Sequence, residues 1–397
     1  MIAAITAARL GAQVLVLEKL SRPGAKLKAT GGGRCNLTNR LDNETLMERF
    51  GKQGRFMQAA LEMFDAEDLT GFFDELGVET HAPDGFHVFP VSHKAETIVD
   101  AMIAEMERLG VEVLNGQRVT GIQTEGESIR GVQTATAFYP AHHVLIATGG
   151  RGYPMLGSTG DGYGLAEALG HTTAPLYPAM MPLRTAETWV TQCRADTLPR
   201  VTLRVDLKKH RSLQATGDLI FTRTGIRGPV VLDFSREITP LLSRYETVPI
   251  LANLTQGMNE EEVRRHIKTE QAKDPRQTTL ALMETLLPTS VSQVLCTLAQ
   301  ADPGITLARQ SGTVRDQLIR LLVATPLTVI GHDGFDKAMI TRGGIRLKEV
   351  DPKTLESRKI RGLYFAGEVL DLDGPCGGYN LQWAFAGGVL AGNSAVS

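Results

Sequence analysis

Residues 12–39, AQVLVLEKLSRPGAKLKATGGGRCNLTN, join a short apolar run ending in an acid to a loop with three consecutive glycines, an arginine, a cysteine and two asparagines. The run AQVLVLEK (12–19) predicts a buried strand. A continuous apolar strand closed by a carboxylate is how a doubly wound sheet presents its second strand. Glu18, followed by Lys19, then stands where such a sheet hydrogen-bonds a nucleotide ribose. Taken alone, Gly31, Gly32 and Gly33 are accounted for by a surface turn that needs positive φ. With the strand before them, close approach of backbone to a ligand becomes the second reading.

The opening MIAAITAARLGA (1–12) has the small, apolar character of the helix that follows the first strand of such a unit, with Gly11 as its stop. The G-x-G-x-x-G strand-loop expected ahead of that helix is not in the sequence. A late start, lacking roughly a dozen residues, is the expectation, and it bears on the diphosphate end of the site. The segment has neither the basic n-region nor the cleavage site of a secretory signal.

A chain of 397 residues has room for two or three domains, and 42% hydrophobic residues is ordinary for a soluble globular protein. Lys and Arg number 42 against 44 Asp and Glu, a formal net charge of −2 without a dense basic run, so no nucleic-acid partner is expected. No apolar stretch reaches the length that spans a bilayer, so no membrane partner is expected either. Cys35, Cys193, Cys296 and Cys376 are far apart and form no C-x-x-C, which suits a reduced, cytoplasmic protein without a structural metal.

Residues 44–76 carry apolar positions at helical spacing. VETHAPDGFHVFP (78–90) predicts a small strand pair around Asp84-Gly85, and SHKAETIVDAMIAEMERLG (92–110) a helix capped by Ser92 and closed by Gly110. VEVLNG, RVTGIQTEG and IRGVQTATAFYPAHHVLIATGG follow as strands and turns. From about Met180 the pattern changes: PRVTLRVDLKKH, ATGDLIFTRTGIRGPVVLDFS and YETVPILANL read as strands, residues 258–325 as helices, and PLTVIGHDGFDKAMITRGGIRL as strands again. The last stretch repeats strand, glycine loop and small-residue helix. The expected architecture is α/β, with residues 1–185 and 345–397 in a nucleotide domain, 186–257 and 326–344 in a β-rich insert, and 258–325 in a helical subdomain.

Four glycine-bearing loops stand in order along the chain: TGGGRCN, IATGG (146–150), STGDG (158–162) and FAGEVLDLDGPCGGYN (365–380). Together they suit a large planar cofactor with an attached diphosphate, which meets backbone at several places. At this point the chain resembles the bacterial aminoacetone oxidase-like flavoproteins, a family that includes bile-acid dienone reductases. The resemblance runs over nearly the whole chain and rests on KLKATGGGRCNLTN, VFPVSHKA, HHVLIATGG with STGDGYG, and GEVLDLDGPCGGYNLQWAFAGG. It implies a Rossmann-like FAD-binding domain made of both chain ends, an inserted β-barrel-like domain and a helical subdomain. FAD as the cofactor follows from the resemblance.

Carried over motif by motif, the resemblance implies that Glu18 holds the adenosine ribose, and that Lys26 and the loop of Gly31, Gly32, Gly33, Arg34, Cys35 and Asn36 lie along the flavin and its ribityl chain. Val119 pairs its backbone with the adenine edge, and Ala147, Thr148 and Gly149 pass close to the nucleotide half. Gly367 and Glu368 meet the diphosphate or ribityl region, and Gly378, Tyr379, Asn380 and Leu381 cap the ring. The last of these also has a physical reading: a helix starting near Tyr379 aims its N–H groups and positive dipole end at the part of a flavin that gains charge on reduction. A small-residue helix packed on the sheet accounts for the same residues.

Cys35 and Cys376 lack the spacing of a redox pair, and a buried small hydrophobe is the better reading of such cysteines. Asp161 reads as the cap of GYGLAEALG. His87, His93, His332 and Tyr153 are candidate proton donors, none assignable as catalytic. The expected function is an FAD-dependent oxidoreductase with hydride transfer at flavin N5 to or from a small molecule in a cleft between the FAD domain and the insert, NAD(P)H or oxygen serving as co-substrate. An RNA-modifying flavoprotein and a remnant unable to hold FAD are the alternatives. Substrate and oligomeric state are not legible.

Overall fold

The structure, a computed structural model, describes residues 1–397. Contacts divide the chain into two units, Met1–Pro178 with Met339–Ser397, and Ala179–Ala338.

In the first unit the apolar run near the start forms the strand Leu15–Glu18, paired in parallel with Glu112–Asn115. The strand before the ATGG loop, Val144–Ile146, pairs in parallel with Leu363–Phe365 near the other end of the chain. Leu15–Glu18 and Val144–Ile146 each have one strand neighbour, so the parallel strands stand as two pairs rather than one continuous sheet. The strand is not the buried one expected: Leu15 is 37% exposed and Val16, Leu17 and Glu18 are half-buried, because the strand has a neighbour on one side only. The helix Ile2–Arg9 packs on the closing helix Tyr379–Ser394 at backbone distance: a Cβ on Gly388 would stand 2.3 Å from Ile2, and one on Gly392 2.5 Å from the Ala3 carbonyl. That approach explains Gly388 and Gly392 in the run AFAGGVLAG. An antiparallel meander, Val119–Glu125, Ser128–Thr134 and Phe138–Pro140, carries Val119 at its outer strand.

The hairpin reading around Asp84-Gly85 corresponds to Thr80–His81 paired with His87–Pro90. Ser92 is not the cap of the next helix. Ala95–Arg108 begins after Lys94, because the Ser92 hydroxyl turns to Thr97 at 2.9 Å and accepts the Lys94 N–H at 3.3 Å. Asp161 is not a cap either. Gly160 holds that position for Asp161–Ala168, and the Asp161 carboxylate is engaged by two cations.

The second unit contains a closed barrel of six strands in the order Leu183–Thr185, Gly225–Arg227, Gln214–Phe221, Thr197–Val205, Val248–Asn253 and Thr325–His332. Alternating side chains such as Val201, Leu203 and Val205, or Val248, Ile250 and Ala252, fill it. GPVVLDFS, read above as strand, is instead the start of the helix Pro229–Tyr245. Pro229 suits the first helical turn, and Val230, Val231, Phe234, Ile238 and Leu241 recur at helical spacing to bury one face. The helices Glu260–Lys273, Thr279–Met283, Thr289–Leu298 and Gly312–Ala324 share one apolar core with the barrel.

Candidate functional site

In the first unit, a chain of polar contacts links loops that are far apart in sequence, beginning at the end of the strand Leu15–Glu18. One oxygen of Glu18 accepts the Leu20 N–H at 2.8 Å. Lys19 meets Asp161 at 2.8 Å and also reaches the Thr159 hydroxyl, while Arg118 holds the other Asp161 oxygen at 2.7 Å. Burial works against the Asp161 charge, but the hydrogen bonds from Lys19 and Arg118 hold its carboxyl below the usual range. The Gly160 N–H donates to Gly150, tying the STGDG loop to the ATGG loop.

The ATGG loop in turn lies against Glu368. A Cβ on Gly150 would stand 2.6 Å from the Glu368 carboxylate and 2.4 Å from the Thr341 hydroxyl, so only glycine permits this packing. Glu368 accepts the Thr341 N–H at 2.8 Å and pairs with Lys26 at 2.6 Å. Lys26 sits in the short helix Ala25–Ala29, which leads directly into TGGG. Two residues assigned to the cofactor by resemblance, Lys26 and Glu368, are thus bound to each other across 342 positions of sequence.

Gly31, Gly32 and Gly33 take φ values of 56°, 66° and 87°, a left-handed run that side chains disfavour. All three are exposed, and a Cβ on Gly32 or Gly33 would point into open space. The run therefore answers to backbone conformation, with open space beside Gly32 and Gly33. Arg34 is exposed, with its guanidinium 5.3 Å from the centre of the Phe89 ring. Cys35 is fully buried, and burial pushes its thiol up to about 11, so it contributes backbone and packing rather than a thiolate. The Asn36 amide, oriented to satisfy its neighbours, donates to the Thr38 and Val88 carbonyls and accepts the Gly378 N–H at 3.2 Å.

That last contact places the glycine loop against the N-terminus of Tyr379–Ser394. Gly378 caps the helix with φ 86°, and a Cβ there would lie 2.6 Å from the Thr38 carbonyl. Tyr379 is buried, edge-on to Phe50. Asn380 folds back, accepting from the Gly374 N–H at 2.8 Å and donating to its carbonyl at 2.9 Å, so its amide locks the turn before the helix. Leu381 packs into the core of this unit. The turn also approaches the 80–90 hairpin: a Cβ on Gly377 would meet His87 Nε2 at 3.2 Å.

Glu18, Lys19, Lys26, Gly31–Asn36, Gly149, Glu368 and Gly378–Asn380 thus belong to one connected set of loops in one unit. Ala147 and Thr148 are exposed on the same ATGG loop, and Gly367, with φ 75°, precedes Glu368. Val119 lies on an outer strand, with Arg118 bridging to Asp161. Sequence reasoning missed Asp161 as a bridge, Thr341 as the Glu368 partner and Asp84 as the partner of His87. The spacing D-G-F-H at a hairpin was the available signal for the last. Of the candidate donors, His332 lies on a barrel strand of the other unit, where its Nδ1 accepts the Gly334 N–H at 3.0 Å. No cluster of His, Cys, Asp or Glu suited to a metal is present.

The residues fit FAD: open space beside left-handed glycines, cations at Lys26 and Arg34, and a 16-residue helix whose N-terminus opens on the same loops. The family described as HI0933-like protein Rossmann domain matches residues 1–394. A 3-dehydro-bile acid delta(4,6)-reductase of Clostridium scindens is 33% identical over the whole chain and 96% of its own length. A ribosomal RNA dihydrouridine synthase of Haemophilus influenzae is 30% identical over 96% of this chain and 91% of its own. Among solved structures, a 3-ketosteroid delta1-dehydrogenase of Sterolibacterium denitrificans has the same fold, with a TM-score of 0.53 at 13% identity over the whole chain and 97% of its own. The chain belongs to the HI0933-like family of FAD-binding Rossmann proteins and is an FAD-dependent oxidoreductase.

Proposed function

We propose that the chain is a reductase that saturates a carbon–carbon double bond conjugated to a carbonyl in a small molecule. The observation that carries this reading is the 33% identity, over the whole chain, to a protein named as a delta(4,6)-reductase of a 3-dehydro-bile acid. The 30% identical relative named as a dihydrouridine synthase also has saturation of a double bond in its name, so one chemistry accommodates both.

Bound FAD supplies the hydride for such a reaction. Within this chain, Glu18 offers its second oxygen to the ribose, the left-handed glycines admit the ring and ribityl chain, and the Lys26–Glu368 pair fixes the loop beside them. Val119, Ala147, Thr148, Gly149 and Gly367 supply backbone to the nucleotide half. The N–H groups at the start of Tyr379–Ser394 would face the bound ring and offer it the positive end of the helix dipole. A reduced nicotinamide, NAD(P)H, is the donor we assign. Four free cysteines suit a reducing cytoplasm, and no helix is long and apolar enough to cross a membrane.

The test is anaerobic. The FAD-loaded protein is reduced and mixed with a 4-en-3-one steroid or with a uridine-containing ribosomal RNA fragment. Reoxidation by the steroid with formation of the saturated ketone supports the reading. Reoxidation by RNA alone moves the substrate to the nucleic acid, and reoxidation by neither overturns it.

A further inference from the structure

His87 sits at the start of the strand His87–Pro90, at the foot of the Asp84-Gly85 turn. Asp84 Oδ2 bonds His87 Nδ1 at 2.5 Å, and Asp84 Oδ1 accepts the Phe86 and His87 N–H groups at 3.0 and 2.8 Å. The hydrogen bond to the His87 ring, joined by those two N–H groups, holds the Asp84 carboxyl far below the usual carboxylate range, so it stays ionised and acts as an acceptor. The ring nitrogen that meets this carboxylate is Nδ1, which as an N–H donates to it and leaves Nε2 on the other side of the ring.

Nε2 faces the Gly377-Gly378 turn, where the lack of a Cβ on Gly377 makes room for the imidazole. Phe86 stands edge-on to the imidazole at 4.8 Å and Phe89 lies tilted to it at 6.5 Å, and the ring is half-buried. The charged and titratable groups around it are Asp84 itself and, across Phe89, Arg34 and His93, the latter bonded to His81 at 2.9 Å. Cys376 and Tyr379 flank the turn it faces.

We propose that His87, oriented by Asp84, is the acid–base group of this site. The assignment rests on the reductase reading above. A double bond that receives a hydride at its carbon remote from the carbonyl needs one proton at the carbon next to it. His87 Nε2–H gives that proton as the electron pair of the double bond moves to accept it, both electrons of the reduction having come from the reduced flavin. His87 is left neutral, with Nδ1–H still on Asp84, and recovers its proton from water. Asp84 is the positioning residue: it fixes the tautomer and the aim of Nε2.

Two measurements decide it. In the protein labelled with ¹⁵N at histidine, saturating FAD is expected to move the His87 Nε2 resonance while Nδ1 keeps the signature of a bonded N–H; an Nε2 resonance unmoved by FAD overturns the placement. In stopped flow, with reduced holoenzyme and 2-cyclohexen-1-one as the probe, His87→Gln is expected to retain flavin but slow reoxidation by on the order of 100-fold. Asp84→Asn is expected to slow it less and to change the shape of its pH profile. Equal rates in His87→Gln and the unaltered protein overturn the proposal. If the unaltered protein transfers nothing to the enone, the reductase reading falls by itself, and the Nε2 resonance alone then upholds or overturns the place of His87 beside the cofactor.

Discussion

The two units are built on opposite principles. The barrel unit closes six strands around alternating apolar side chains, and its strands Thr197–Val205 and Gln214–Phe221 run nine and eight residues. The FAD unit has parallel strands of three or four residues, in two pairs, and its order comes from loops locked to one another by Lys26–Glu368, Lys19–Asp161 and Asn36–Gly378. In the barrel, volume and periodicity do the specifying, so many apolar residues serve at a given place. In the FAD unit, identity at single positions does, because a methyl group at Gly378 or Gly150 meets backbone or a carboxylate.

The sharpest expected contrast is between a core deletion and a single added carbon. Phe221→Ala removes one of the largest fully buried side chains of the barrel and is expected to cost about 3–5 kcal/mol in chemical denaturation, with one FAD per chain retained while the protein is folded. If FAD is lost along with stability, the division of labour between the units is wrong. Gly378→Ala puts a Cβ against the Thr38 carbonyl at φ 86° and is expected to cost about 2–3 kcal/mol and to weaken FAD as well. A stability cost without any change in FAD binding would reduce Gly378 to a packing residue.

A buried acid in the same unit tests whether its loops rest on charge. Burial alone would raise the Glu349 carboxyl, but hydrogen bonds from the Thr172 N–H and hydroxyl and from Lys359 outweigh that and hold it at about 2. A carboxyl depressed on folding stabilises above its ordinary value of 4.5, and that contribution fades as pH falls from there toward 2. Glu349→Gln is therefore expected to cost about 1.5–3 kcal/mol at neutral pH, with the gap to the unaltered protein closing in acid. A gap independent of pH would point to lost packing rather than lost charge.

The same contrast governs what the sequence disclosed. The strand ending in Glu18, the left-handed TGGG loop and the helix from Tyr379 were legible because their residues have few other uses in that order. The start of Pro229–Tyr245 was not: VVLDF suits either period over five residues, and the helix is evident only once Ile238 and Leu241 continue the stripe. Ser92 and Asp161 were misread as caps because a short polar residue before a helix has other partners to choose from, here Thr97 and the Lys19–Arg118 pair. The Lys26–Glu368 contact and the approach of His87 to Gly377 join residues about 340 and 290 positions apart, and no local pattern reports such a meeting.

The most direct measurement is a titration of the purified chain with FAD, followed by flavin fluorescence, for the unaltered protein and for Gly378→Ala side by side. The expected result is saturable binding of one FAD per chain, weakened at least about tenfold, or about 1.4 kcal/mol, by the added methyl. Absence of saturable binding, or equal affinity in the two proteins, would contradict the assignment of these loops to the cofactor.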